Sequence, residues 1–382
     1  MQIDLQKRFK LLIVSDTAMR MKNNNAIEAF EPVIREIENF HYLFDTITWI
    51  GYDYSNDKLR KNMRTVNGVN IEYILLPRTG GTTLLNKMQI LYKLIPYFFI
   101  ILKEISSHNI IHTRAPSMPA FLAILISFFD KKRIYWHKYA GSWTDDNAPI
   151  FYRLQRYLLK KVKNTHVTIN GKWLNQEKHI LTFENPCMTE REYNEAKLSA
   201  SSRHFNGKLN FCFIGNLNES KGVGRIIEAF NQMDNDRIGE IHFIGDSPKR
   251  EQYEYLAKNL PVKFHGFLLR EKMPEILKQI HFLLLPSASE GFPKVVAEAA
   301  SYGVIPIVSS VSSLPQYINN GENGFLIEAV SSKSLKETLE NILFLDKKVL
   351  DTISKESLCL PEKFTYEYYN ERIKKDILDI DQ

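Results

Sequence analysis

At 382 residues the chain is longer than one hydrophobic core usually fills, so two domains are expected, and 44% hydrophobic with 25% charged residues excludes a disordered or fibrous protein. The longest apolar tracts, "LIPYFFIIL" (Leu94 to Leu102) and "FLAILISFF" (Phe121 to Phe129), fall short of the ~20 residues that span a bilayer and read as buried helices of an α/β domain, with a place against a membrane face as the alternative. The formal charge of +6 is uneven: residues 1–190 carry 26 Lys and Arg against 17 Asp and Glu, residues 191–382 carry 24 against 27. A basic first half suits an anionic membrane surface, a phosphate-bearing acceptor or nucleic acid, and no nucleic-acid motif accompanies it.

In chain order, "MQIDLQKRFKLLIVSD" holds only a short apolar run and reads as a first core strand, not a signal peptide. Strands follow at "FDTITWIG", "IEYILLP", "NIIHTRA", "RIYWHKYAG" and "HVTIN", with helices over Leu84 to Ile105 and Ile150 to Val162. This alternation predicts an α/β domain over residues 1–187 built on a parallel sheet covered on both faces. The polar stretch from Met188 to Lys208 reads as a linker, with bounds 188–207. The same grammar restarts over 208–363 with "LNFCFIG", "IHFIGD", "VKFHGF", "HFLLLP" and "VIPIVSS". Two consecutive Rossmann-like, doubly wound domains are therefore expected, with ligands bound beyond the carboxyl ends of the strands in an interdomain cleft. The tail "TYEYYNERIKKDIL" is helical in pattern, and over 364–382 it is expected to cross back onto the first domain. Cys187, Cys212 and Cys359 are too scattered for a disulfide framework or a zinc site, which fits a reducing compartment.

Two segments carry chemistry. "FCFIGNLNESKGVGRIIEAF" (Phe211 to Phe230) runs strand, glycine turn, lysine, helix: Gly215 permits close backbone approach, Lys221 offers a mobile cation, and the helix beginning near Gly222 turns its positive end to the same spot. That is a phosphate cradle, distinct from the Walker pattern and from the dinucleotide fingerprint, and an ordinary strand-to-helix connection is the alternative. "LLLPSASEGFPKVVAEAASYG" (Leu283 to Gly303) sets Glu290 in a strand-to-helix loop, and Glu298 on the helix face shared with Lys294 and Val295. A solvated helix with an incidental Lys294–Glu298 pair is the alternative there.

Taken together, "GNLNESKG", "SEGFPKVVAEAASYGVIPIVSS" and "GENGFLI" at this separation resemble the C-terminal half of retaining nucleotide-sugar glycosyltransferases of the GT-B fold, glycosyltransferase family 4, over Asn210 to about Ile327. The resemblance includes two glutamates separated by seven residues, here Glu290 and Glu298, with Gly291, Phe292 and Pro293 in the usual places. It implies that Glu290 and the N–H groups of Gly291 and Phe292 hold hydroxyls of the donor sugar, that Glu298 accepts from the ribose, and that Lys221 neutralises the diphosphate. Gly215, Asn216, Lys294 and Val295 complete the implied donor-binding set. Asn216 stands where the family commonly has arginine, leaving Lys294 and Arg225 as candidates for the missing charge, and Pro315-Gln316 stands where a Pro-Glu pair is common.

For the first domain the resemblance places functional loops at Ser15 to Asn25, His112 to Ser117 and His137 to Trp143. It offers His137 as a catalytic cleft histidine and Arg114, Lys138 and Trp143 as acceptor-binding residues, each with a structural role as the alternative. Asp145 and Asp146 resemble the paired aspartates that hold a metal in the other large glycosyltransferase fold, and are instead expected to start a helix. The implied activity is transfer of a sugar from a UDP-, GDP- or ADP-linked donor to a glycan or lipid-linked acceptor, in bacterial surface polysaccharide biosynthesis. No metal or other cofactor is implied, the nucleotide sugar being a co-substrate. A cytoplasmic location, with peripheral contact at the inner face of the plasma membrane, fits this reading. A nucleotide-sugar epimerase of the same fold and a non-catalytic sugar-nucleotide-binding scaffold are the rivals.

Overall fold

The computed structural model describes residues 9–22, 26–56, 62–67, 70–79 and 84–380. The chain divides into two units, Met1–Phe183 with Asn370–Gln382, and Glu184–Tyr369.

In the first unit, β1 (Lys10–Met21), β2 (Ile27–Phe30), β3 (Thr46–Asp53), β4 (Met63–Thr65), β5 (Ile71–Pro77), β6 (Ile110–Ala115), β7 (Ile134–Tyr139), β8 (His166–Ile169) and β9 (Ile180–Thr182) form one sheet. Its parallel part runs β5-β3-β1-β6-β7-β8-β9, and β2 and β4 extend it antiparallel. The helices are α1 (Glu31–Phe40), α2 (Leu84–Ser107), α3 (Met118–Ser127) and α4 (Ile150–Lys161). Side chains alternate across a strand, so the sheet is covered twice. Leu12, Val14, Ile111 and Tyr135 face α2 and α3, while His112 and Trp136 meet Phe40 of α1.

The expected loop from Ser15 to Asn25 is largely strand: β1 shifts register between Val14 and Ala18, then continues to Met21 by pairing with β2. Residues 23–25 of that stretch lie outside the described residues. The C-terminal segment belongs to this unit, since Asn370 donates to the Asn39 carbonyl (2.7 Å) and Arg372 donates to the Thr182 carbonyl (3.0 Å) while covering the Phe183 ring.

The second unit has an all-parallel sheet of β10 (Leu209–Ile214), β11 (Ile238–Ile244), β12 (Val262–Gly266), β13 (Phe282–Leu285), β14 (Ile305–Ser309) and β15 (Phe325–Ile327), ordered β12-β11-β10-β13-β14-β15. Its helices are α5 (Glu190–Ala200), α6 (Val223–Asn231), α7 (Arg250–Leu256), α8 (Met273–Leu277), α9 (Lys294–Ala300), α10 (Ser332–Phe344), α11 (Lys347–Ser357) and α12 (Tyr366–Asp376), the last continuing into the first unit's C-terminal segment.

The stretch expected to be a linker is α5. Thr189 and Glu192 close a capping box at its start, Tyr193, Ala196 and Ala200 are buried, and the Tyr193 hydroxyl donates to the Leu358 carbonyl (2.7 Å). Among the described residues no helix is long and apolar enough to cross a membrane.

Candidate functional site

In the second unit the strand order reverses between β10 and β13, and at such a switch point the loops leaving the two carboxyl ends diverge to open a crevice. Residues 215–222 leave β10 there and residues 286–293 leave β13. The Ala288 N–H donates to the Ser220 carbonyl (2.8 Å), which ties the two loops together. Gly222, the residue before α6, has φ +87°, and a Cβ there would lie 2.4 Å from the Pro286 carbonyl oxygen; only glycine permits this approach. Gly245, at the end of β11, approaches the Gly215 carbonyl oxygen so closely that a Cβ would overlap it.

Within this crevice Lys221 Nζ lies 2.5 Å from Glu290 Oε1, with the carboxylate buried and the ammonium partly exposed. The Asn218 side chain accepts from the Lys221 N–H (2.9 Å) and fixes the turn that aims it. Phe292 turns its ring inward to stack on Phe364, with centroids 4.4 Å apart, and Ser313 Oγ donates to the Gly291 carbonyl (2.9 Å). Those two anchors leave the N–H groups of Gly291 and Phe292 without a hydrogen-bond partner among the described residues. One buried carboxylate, one cation and two donors therefore converge on one turn, a set that can hold sugar hydroxyls and a phosphate.

Pro293 caps α9, Lys294 opens it, Val295 packs partly into the core, and Asn216 is exposed. The ion pair that Glu298 makes is with Arg270, at 2.6 Å. Arg270 follows β12, donates to the Cys187 carbonyl (2.8 Å) and approaches Glu192 at 3.4 Å, so it holds the outer carboxylate against three segments. Burial opposes its charge, and the carboxylates of Glu298 and Glu192 outweigh that and raise its pKa. Arg225, a candidate for the missing diphosphate charge, is occupied structurally: it donates to the carbonyls of Pro286 (3.0 Å) and Glu219 (2.8 Å).

In the first unit several expectations need correction. His137 is fully buried, with Thr113 Oγ1 at 2.9 Å and Ser127 Oγ at 3.2 Å satisfying its two ring nitrogens, and burial pushes its pKa down to about 3. It is a structural histidine and reaches no substrate. Trp143 lies in the core with its ring against Tyr139 and under the Lys160 ammonium (5.6 Å), so it is taken up within the fold. Lys138 is buried against Glu36 (2.6 Å), its charge taken up inside the fold.

Arg114 also pairs with Glu36 (2.8 Å), yet it lines a cavity of about 370 Å³ with Asp16, Tyr54 and Asn62. That cavity opens at the register shift within β1 and at the carboxyl ends of β6 and β7. Burial raises the Asp16 carboxyl above its ordinary range, against the pull of a backbone hydrogen bond and of Arg114. Asp145 and Asp146 precede α4 by several residues and do not start it; Asp145 Oδ1 accepts from the Asn147 N–H (2.9 Å). Among the described residues no three His, Cys, Asp or Glu side chains gather as for a metal ion.

The match to a family model falls on the same segment. Residues 194–356 match the family model described as Glycosyl transferases group 1. The chain is 25% identical over 238 residues to an uncharacterized glycosyltransferase of Methanocaldococcus jannaschii, covering 61% of this chain and 59% of that protein. It is 31% identical over 151 residues to the UDP-Gal:alpha-D-GlcNAc-diphosphoundecaprenol alpha-1,3-galactosyltransferase of Escherichia coli, covering 38% of each. The aligned part thus spans less than two thirds of either relative. Among solved structures, Anabaena HepE in complex with UDP and glucose superposes with a TM-score of 0.68 at 14% identity, covering 98% of this chain and 100% of that one. The two Rossmann-like units reproduce the fold of GT-B glycosyltransferase structures, and the segment matching Glycosyl transferases group 1 is the one that carries Lys221, Arg270, Glu290 and Glu298.

Proposed function

We propose that this protein is a retaining, metal-independent glycosyltransferase that moves a sugar from a nucleotide-sugar donor held by the second unit to a glycan or lipid-linked acceptor, in the building of a bacterial surface polysaccharide. The observation that carries the reading is the Lys221–Glu290 pair beside the two unpartnered N–H groups at the switch point. The name of the Escherichia coli relative supports a UDP-sugar donor and a lipid-diphosphate acceptor, and the Anabaena protein, solved in complex with UDP and glucose, supports those two as ligands.

In this reading Glu290, Gly291 and Phe292 hold the sugar hydroxyls, and Glu298, fixed by Arg270, accepts from the ribose. The bond from the anomeric carbon to the diphosphate breaks with its electrons passing to the diphosphate oxygen. Lys221 balances the charge that develops there. A preorganised cation of this kind contributes ~3 kcal/mol, or 10² to 10³ in rate. The acceptor hydroxyl attacks from the leaving group's own face and gives its proton to the departing oxygen, which retains the anomeric configuration. Asp16 and Arg114 in the first unit are the groups offered to the acceptor.

Incubation with labelled UDP-, GDP- and ADP-sugars and a lipid-diphosphate sugar acceptor tests this. Transfer with retained configuration is expected; conversion of the free nucleotide sugar to its epimer, or binding without turnover, would replace the reading.

A further inference from the structure

The first unit exposes an apolar surface that the chemistry above does not use. Helix α2 buries Tyr97, Ile101 and Ile105 against the sheet, as a helix of the core should. Its opposite face is apolar too, with Tyr92, Ile95 and Phe99 82%, 64% and 62% exposed and Leu102 beside them, at the spacing that forms one line along a helix. Helix α3 packs between α2 and α4, and Phe121 of α3 meets Phe151 of α4 at 5.1 Å, so the outer faces of α2 and α4 look the same way.

On α4 the outer line reads Ile150, Arg153, Leu154, Tyr157, Lys160 and Lys161, all exposed, and the helix contains no carboxylate. Lys161 lies over the Tyr157 ring at 5.7 Å. Phe129, 88% exposed, follows α3 beside Lys131 and Lys132, and the Arg133 side chain ties this segment to the end of α2 through the Ser106 carbonyl. Among the described residues no carboxylate pairs with Lys103, Lys131, Lys132, Arg153, Lys160 or Lys161.

We propose that the outer faces of α2 and α4 are a docking surface for an anionic lipid bilayer. Exposed apolar side chains lined along a helix mark an interaction site, and aromatic rings interleaved with lysines suit the headgroup boundary, where rings enter the apolar layer and ammonium groups meet lipid phosphates. Charge decides between occupants. Lys103, Lys131, Lys132, Arg153, Lys160 and Lys161 are exposed with no carboxylate paired to them among the described residues, so a second copy laid on the same face would set cation against cation, whereas anionic headgroups complement it. Docking would bring the unit that faces the acceptor to the membrane in which a lipid-linked acceptor resides. The surface itself does not depend on that reading.

The test is sedimentation of the full chain with vesicles of phosphatidylcholine alone or with about 30% phosphatidylglycerol, without sugar nucleotide, so that failure here leaves the transferase reading untouched. The wild type should sediment with the anionic vesicles at about 0.1 M salt and be released at about 1 M. K160E/K161E should weaken binding roughly tenfold or more, and I95S/F99S should weaken it with the melting temperature unchanged. Equal binding to both vesicle types, or full binding by both variants, would overturn the proposal. So would a dimer, seen by light scattering, that I95S/F99S dissociates, since it would assign this face to a second copy.

Discussion

Lys221 Nζ lies 2.5 Å from Glu290 Oε1, joining two loops whose residues stand 69 apart in the chain. Each side chain holds the other in the crevice, so loss of either should disturb both charge and geometry at the breaking bond. Lys221→Ala and Glu290→Ala should each lower kcat by ~10² or more with little change in melting temperature. Because the residues touch, the double variant should lose less than the sum of the two single losses. Steady-state kinetics on the three variants checks this, and near-wild-type turnover in both single variants would remove the proposed donor site.

Glu298 and Arg270 should behave differently. A ribose contact is made in the ground state and in the transition state alike, so Glu298→Ala should chiefly raise the donor KM. Arg270→Met should do the same by releasing the carboxylate, and Arg270→Lys should recover part of the loss, limited by the missing fork of donors. A fall in kcat at unchanged KM would place these residues nearer the reacting centre than the account allows.

The site is more hidden in the sequence than the fold is. Parallel strands covered on both faces are written as near-continuous apolar runs, which made eleven of the fifteen described strands legible, and the glutamates with their Gly-Phe-Pro turn marked the crevice; β2, β4, β9 and β15, of three or four residues each, carry too short a run. The same double coverage hides which polar residue of a strand is internal, so His137 and Lys138 gave no sign of being buried. Their partners are distant: Glu36 precedes Lys138 by 102 residues and Arg114 by 78. Arg270 stands 28 residues before Glu298 in a loop without any local signature. Helix α5 did carry a signal, since Thr189-x-x-Glu192 is a capping box and Tyr193, Ala196 and Ala200 share a face. Asp16, the first carboxylate after the core of β1, stood where α/β sheets place ligands.

With Lys221 and the N-terminus of α6 balancing the diphosphate in place of a divalent cation, turnover should be undiminished in excess EDTA. The check is activity before and after chelation. Loss that magnesium or manganese restores would contradict the proposed leaving-group stabilisation.

Buried neutral histidines make stability depend on pH. Burial lowers the pKa of His137 to about 3, that of His281 to about 4, and that of His112 well below 6.5. A histidine whose folded pKa lies below its unfolded value contributes fully above pH 6.5, and the contribution is lost as pH falls toward the folded pKa. His137 alone should cost about 3 kcal/mol on going from pH 7 to pH 4.5. Urea denaturation across that range should show a falling midpoint, with a shallower slope against pH in His137→Asn. An unchanged slope would mean that the imidazole is not held neutral.

The central claim is a nucleotide site in the second unit built around Lys221, Glu290 and Glu298, and titration calorimetry with UDP, GDP and ADP tests it most directly. The account predicts that one of these nucleotides binds the wild type, that Lys221→Ala and Glu298→Ala weaken it, and that at ~100 times its Kd it stabilises the protein by ~2.7 kcal/mol. Absence of binding by all three, or binding that both variants leave unchanged, would contradict it.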